Sequence, residues 1–323
     1  MDALPVEEKT SLEFKSTHKG IHHACGHDGH CAILLIVIKI LCEQYQDKLN
    51  GTIKFVFQPA EEKAEGAKAM IADEKNPAMK NPDVDFAYGL HLMTIAPPGI
   101  IEIKSGYFSS ACDGFNVRVI GRGGHGSAPH ASIDPIYIST HIIQMFYSIL
   151  SRNISPMNVA TLSITQINGG NTNNVIPSEC SFGGNVRTVE LKDSELIKKR
   201  MSEIVEGAKK SFGCEIEFNF WNFCTSVFNH KNETEKVIDA ASEVVGRENV
   251  KGPSYLLFSE DFGHFTENTP GAFFLVGAAY KETLKSEQTL LVHHSPNFDF
   301  DEEGMLVGAS VFLRLVEKEL LIK

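Results

Sequence analysis

The sequence has no basic run. Its 323 residues carry 30 lysines and arginines against 41 aspartates and glutamates, a formal net charge of −11, which argues against nucleic acid or an anionic membrane surface as a partner. Long hydrophobic stretches are missing too. The longest aliphatic run, residues 32–38 (AILLIVI), falls far short of the roughly 20 residues that a membrane-spanning helix needs. The opening MDALPVEE has neither the basic n-region nor the apolar h-region of a secretory signal, and cytoplasmic localisation is the expectation. Seven cysteines, an odd number with no C-x-x-C pair, fit a reducing compartment and argue against a disulfide framework or a structural zinc site. No G-x-S-x-G elbow occurs, which disfavours a serine hydrolase.

What is present is a folded composition, 42% hydrophobic and 22% charged, in a chain long enough to form two domains. One stretch stands apart: residues 22–30 read HHACGHDGH, with four histidines, a cysteine and an aspartate in nine positions. Cys25 and His27, separated by one glycine, can turn a thiolate and an imidazole toward one point, with Asp28 available to orient an imidazole. A glycine-containing loop with surface histidines and a buried thiol is the plainer alternative.

The pattern then alternates. Residues 31–49 are apolar on nearly every face before turning polar, as in a helix buried between layers. Residues 52–57 (TIKFVF) read as a strand running into Glu61 and Glu62, 66–72 as a helix, and 84–90 as a strand ending on His91. Polar groups delivered at strand ends are the habit of α/β sheets. Singly, Glu61 and Glu62 are also compatible with solvated charges and His91 with a core histidine.

From residue 110 the strands become half-exposed: 115–120, a glycine-rich GRGGHGSAPH, a helix at 136–150 after Asp134-Pro135, strands at 159–167 and 180–188, a helix at 192–212 and a strand at 215–221. That β-α-β-β-α-β order is ferredoxin-like. The expected fold is therefore α/β, a mixed, mostly parallel sheet flanked by helices, with an inserted ferredoxin-like α+β domain. Its boundaries are 1–109 (catalytic, first part), 110–224 (inserted) and 225–323 (catalytic, second part). The last part reads as a helix at 233–245, strand-like runs at 254–258 and 272–276, Glu260-Asp261, the pair His293-His294, and a closing helix at 302–321.

The candidate ligands collect as Cys25, His27, Glu62, His91 and one of His293 or His294, with Glu61 left over. Mixed sulfur, nitrogen and oxygen donors suit two borderline divalent ions. Such a pair lowers the pKa of a water and polarises a carbonyl, while an adjacent carboxylate takes the proton. The chemistry implied is hydrolysis of an amide or ester. A Cys25 nucleophile with a histidine base is the rival, and it leaves the carboxylate pair and the distant histidines without roles. The inserted domain adds His125, His130, Asn173, Asn174 and Arg187, the last able to clamp a carboxylate or to make a surface ion pair.

DALPVEE, HHACGHDGH, FQPAEE, GLH, GGHGSAPH, GGNTNNVIP, VRT, SEDF and HHSPNFDFDEE, in this order, resemble the M20 metallopeptidases, in their amidohydrolase branch of hippurate, N-acyl-amino-acid and auxin-conjugate hydrolases. The resemblance implies a hydrolase-like catalytic domain with two divalent ions per subunit, zinc or manganese first and cobalt or nickel open. It implies Cys25, His27, Glu62, His91 and His294 as ligands, His294 being two residues before Pro296, and Glu61 as general base. It further implies a homodimer through the inserted domain, His125 reaching the other subunit's site to stabilise the oxyanion, and substrate contacts from Asn174 and Arg187. The implied substrate is a small N-acyl amino acid or amide.

Two departures accompany it. Family members carry a helical region and a strand ahead of D-A-L-P, so this chain is expected to expose a sheet edge or apolar surface, and a catalytically silent, dimer-forming homologue is the second functional reading. Gly263-His264 stands where relatives place a tyrosine.

Overall fold

The computed structural model describes residues 2–254, 257–285 and 293–321. These form two compact units, one from Met1–Phe108, Val227–Tyr255 and Asp261–Lys323, the other from Ser109–Ser226 with Leu256–Glu260. The first unit opens with an extended strip lying against the histidine loop, where Leu4 and His22 exchange backbone hydrogen bonds of 2.9 and 3.0 Å. Helix α1 (His27–Ile40) buries Gly29, Ile33 and Val37. Its apolar sequence predicts burial on every side, but only one face is covered: Leu35 and Ile36 are 59% and 40% exposed.

Residues 52–57 are a correction. They belong to no strand, and their backbone groups bond to no other backbone group among the described residues. Ile53 and Phe55 pack on the core while Phe57 is exposed. Alternating side chains are satisfied by one covered face, whereas a ladder also needs a neighbouring strand about 4.8 Å away. Helix α2 (Gly66–Ala72) and strands β1 (Ala87–Met93), β2 (Ile101–Glu102) and β3 (Gly106–Tyr107) complete this part.

The second unit comprises β4 (Ala111–Ile120), β5 (Gly124–His125), α3 (Pro135–Asn153), β6 (Ala160–Gly169), β7 (Val175–Ile176), β8 (Glu179–Thr188), α4 (Leu191–Phe212) and β9 (Glu215–Cys224). Its antiparallel sheet has the order β6-β8-β4-β9, with β5 and β7 as a separate ribbon, the ferredoxin-like arrangement. Asp134 caps α3 by accepting from the backbone N–H of Ile136 at 2.9 Å and Tyr137 at 3.2 Å, and Pro135 occupies the first turn, where its missing N–H costs nothing. Phe115, Val117 and Val119 of the sheet pack with Ile142 and Phe146 of α3 and Ile197 and Met201 of α4. Residues 257–260 also fold here, Phe258 accepting from the Ser110 N–H at 2.8 Å. The predicted strand at 254–258 is not formed in its described part, and positions 255 and 256 lie outside the described residues.

The chain then returns as β10 (Phe228–Asn229), α5 (Lys231–Val245), β11 (Val250–Lys251), α6 (Gly263–Thr266), β12 (Gly271–Gly277) and α7 (Glu303–Leu320). The main sheet runs β1-β12-β2-β11, parallel at β1–β12 and β2–β11 and antiparallel at β12–β2, so it is mixed and mostly parallel. β12 is buried along its whole length, as its unbroken apolar sequence requires of a strand covered on both faces. Leu90 and Leu92 of β1, Phe274 and Val276 of β12, Ile33 and Val37 of α1, Val237 of α5 and Val311 of α7 form one core. No described helix is long and apolar enough to cross a membrane.

Candidate metal centre

Gly26 holds a left-handed conformation (φ 79°), which glycine adopts at no steric cost. It turns the chain between Cys25 and His27, the first residue of α1. His91 lies inside β1 rather than past its end, and its Nδ1 donates to the Leu92 carbonyl at 2.6 Å. That fixes the tautomer, so Nε2 presents a lone pair, 3.5 Å from Cys25 Sγ.

Glu61 and Glu62 occupy a single 3-10 turn, Glu61–Lys63, rather than the extended chain that 52–57 suggests. The turn is bounded by Ala60 (φ 53°) and Ala64 (φ 52°), both left-handed. Each costs an alanine about 1–2 kcal/mol, strain of the kind that accompanies functional turns. The two carboxylates diverge. Glu62 Oε1 lies 3.2 Å from His294 Nε2, and Glu61 Oε2 lies 3.7 Å from His27 Nε2.

His293 and His294 differ in what they can offer. His293 Nε2 accepts from the Thr94 N–H at 3.3 Å, so its proton sits on Nδ1, 3.6 Å from Cys25 Sγ. His294 is itself left-handed (φ 67°), and half of its side chain is exposed. The ligand atoms of Cys25, His27 and His91 lie within 4.8 Å of one another, and so do those of Cys25, Glu62 and His294. Cys25 thus belongs to two triads at once.

Three features fit a pair of cations. The donors are a thiol, imidazoles and a carboxylate, a set suited to borderline divalent ions. Glu62 Oε1 is buried with no aligned hydrogen-bond partner among the described residues. Burial pushes the His27 imidazole down, only partly offset by Glu62 and Asp2, and burial with the neighbouring His30 and His293 holds His91 well below the usual range, so both are neutral at physiological pH.

Other predicted roles change. Asp28 is exposed and its Oδ1 accepts from the Gly29 N–H at 3.0 Å, not from an imidazole. His23 Nδ1 donates to the Asp2 carbonyl at 2.7 Å, and His30 Nε2 accepts from the Leu92 N–H at 3.0 Å. Asp2, to which the residue pattern assigned no role, accepts from the Glu62 N–H at 2.9 Å and forms a third close group with His27 and Glu61. A carboxylate serving a backbone amide 60 residues away leaves no local signature.

These buried imidazoles make the metal-free protein acid-sensitive. Burial pushes His293 down to about 4, and His27, His30 and His91 are lowered as well. In the unfolded chain each titrates near 6.5, so their contribution is complete above that value and is lost as pH falls toward 4. His293 alone accounts for about 3 kcal/mol. His294, raised by the Glu62 carboxylate 3.2 Å away, gains in the opposite sense below 6.5 but is a single half-exposed group. Urea midpoints in chelator are expected to fall steadily from pH 7 to 4.5; a flat profile would contradict this burial.

In the second unit, His125 sits on β5, exposed. Its Nδ1 receives the Ser127 N–H at 3.2 Å, with the Ser127 hydroxyl 2.8 Å away. With Nδ1 accepting, the proton resides on Nε2, which is then a donor. His125 lines a cleft of about 790 Å³ with Asn168, Asn171 and Ser178. Asn174 accepts from the Thr172 hydroxyl through Oδ1 and from the Gly126 N–H through its carbonyl. Arg187 donates from Nη1 to the Leu257 carbonyl at 3.2 Å and the Ser259 hydroxyl at 2.7 Å, which anchors one nitrogen of the guanidinium.

Residues 1–318 match the profile of peptidase family M20/M25/M40. The chain belongs to this family. Thermostable carboxypeptidase 1 of Saccharolobus solfataricus is 37% identical over 324 residues, covering 98% of this chain and 78% of its own. Hippurate hydrolase of Campylobacter jejuni is 34% identical, covering 99% and 80%. Among solved structures, the Bacillus subtilis YXEP protein, described as a dinuclear metal binding peptidase from the M20 family, is 28% identical and superposes with a TM-score of 0.79, covering 98% of this chain and 78% of its own. M20 membership gives the double Cys25 triad a family context.

Proposed function

We propose that this M20 chain hydrolyses the amide bond of N-acyl amino acids or related small amides with the help of two divalent ions. The observation that carries the reading is the sharing of Cys25 between the Cys25–His27–His91 and Cys25–Glu62–His294 triads. Relatives support it by name, one a hydrolase of hippurate, which is an N-acyl amino acid, and another a dinuclear metal binding peptidase. Cys25, His27, Glu62, His91 and His294 would hold the ions, with Cys25 common to both donor sets; zinc or manganese suits the set, with cobalt and nickel also compatible. Bound there, the ions lower the pKa of a water and polarise the scissile carbonyl.

The chain's own groups supply the rest. Glu61, beside His27 and not needed as a ligand, takes the attacking water's proton and hands it to the leaving amine nitrogen. His125 of the partner subunit donates its Nε2–H to the oxyanion, in a homodimer formed through the ferredoxin-like unit. Support for that assembly comes from the outer edge of β6, exposed along most of its length, and from the exposed apolar residues Ile136, Tyr137 and Met145 on α3 with Val159 and Ile167 beside them. Asn174 and the guanidinium of Arg187 contact the substrate, Arg187 at its carboxylate.

The test is turnover of N-acetyl- and N-benzoyl-amino acids by purified protein loaded with zinc or manganese. Activity that survives complete chelation would overturn the mechanism. Arg187→Ala is expected to cost about 1.5–3 kcal/mol in kcat/KM, the range for a charge-assisted hydrogen bond, and much less on the matching N-acyl amines that lack a carboxylate. An equal loss on both substrate classes would return Arg187 to a structural role.

A further inference from the structure

We propose that Asp261 is the positioning residue that holds the Glu61–Glu62 turn in its working conformation; this rests on the hydrolase reading above. Asp261 is completely buried. Its two oxygens reach the two ends of one short segment: Oδ1 accepts from the Gln58 side-chain amide at 2.5 Å, and Oδ2 accepts from the Ala67 N–H at 3.0 Å. Between those ends lie Glu61 and Glu62, with left-handed Ala60 and Ala64 on either side.

The ends are also pressed together. A Cβ on Gly66 would fall 1.6 Å from the Pro59 carbonyl oxygen, so the segment closes on itself at the level where Asp261 bonds to both sides. Inside, Ala60 accepts from the N–H of Lys63, Glu65 and Gly66 at 3.3–3.4 Å, long bonds that do little to hold the shape, while Ala64 donates to the Glu61 carbonyl at 2.7 Å. A turn with two left-handed alanines relaxes unless its surroundings enforce it. Asp261 supplies that enforcement by accepting at both ends of the segment with a single carboxyl group. Its carboxylate comes within 4.8 Å of Glu61, so the clasp lies beside the base.

The experiment compares wild type, Asp261→Ala and Asp261→Asn for kcat, KM, manganese affinity by calorimetry and amide exchange at residues 61–66. Asp261→Ala is expected to lower kcat by about 30- to 100-fold, the scale for a misplaced catalytic group, and to weaken manganese by about 10- to 100-fold. KM should stay within about threefold and exchange in the turn should rise. Asp261→Asn keeps both bonds once the Gln58 amide flips, so it is expected within about fivefold of wild type. Wild-type kcat and unchanged exchange in a folded Asp261→Ala protein would overturn the proposal. If that variant does not fold, Gln58→Ala decides in its place: faster exchange with reduced kcat supports the clasp, and neither change overturns it. Exchange reads the turn directly, so a wild type without turnover counts against the hydrolase reading and leaves the exchange result to decide this one.

Discussion

Glu61→Gln is expected to lower kcat by about 10²- to 10⁴-fold, the usual contribution of a general base, while two ions still bind and KM changes little. The amide keeps the size of the side chain and its place on the 3-10 turn but cannot accept the water's proton. Calorimetric titration with manganese and steady-state kinetics on one N-acyl amino acid check both halves. Retention of more than a tenth of the activity would remove Glu61 from its role. The same variant tests the homodimer. Glu61→Gln and His125→Ala are each expected to be nearly silent, yet equal mixtures allowed to exchange subunits should recover about a quarter of wild-type activity. Half of the dimers would then be mixed, and one of their two sites would have both groups, as oxyanion stabilisation across subunits requires. No recovery would place His125 outside the partner's site.

Cys25→Ser is expected to lose both ions together. Its sulfur stands in both ligand triads, so replacing it with a hydroxyl that stays protonated at neutral pH removes one ligand from each position and the bridge between them. Affinity at both positions should fall by at least about 100-fold, beyond the 10- to 100-fold typical of supporting residues. The stabilisation that metal confers, about 2.7 kcal/mol at 100 times Kd, should vanish from the melting curve. His91→Ala provides the contrast, because it belongs to one triad only and should spare the other position. A Cys25→Ser protein that retains one ion at wild-type affinity would show that the sulfur is not shared.

Elements with strong local signals were legible in the residues. The helix at 66–72 lies where it was expected, Asp134-Pro135 starts α3, and β-α-β-β-α-β yields the ferredoxin-like sheet. Cys25, His27, Glu62, His91 and His294 do converge, although they come from a loop, a helix start, a turn, a strand and a second loop. What could not be read is whatever depends on a partner distant in sequence. Residues 52–57 show a strand's alternation, but alternation reports which side chains are covered and not whether a neighbour completes the ladder. Choosing between His293 and His294 from local residues would have required the Thr94 N–H that occupies His293. Asp28, close in sequence, is the orienting group the local residues suggest, yet Asp2 bonds to the turn itself and Asp261 to the residues on either side of it. Left-handed Ala60 and Ala64 carry no marker, since alanine ordinarily signals helix.

The open run at 52–57 also bears on how copies of the molecule behave toward one another. N–H and C=O groups that have no backbone partner among the described residues, beside an exposed Phe57, offer a template for strand addition, an attraction that acts only at contact. The charge of −11 acts at longer range and in the opposite direction. At 0.01 M ionic strength repulsion reaches about 30 Å, whereas at 0.1 M it is screened within about 10 Å. Colloidal stability is therefore set by a balance that salt tips toward association, the reverse of a complex held by ion pairs.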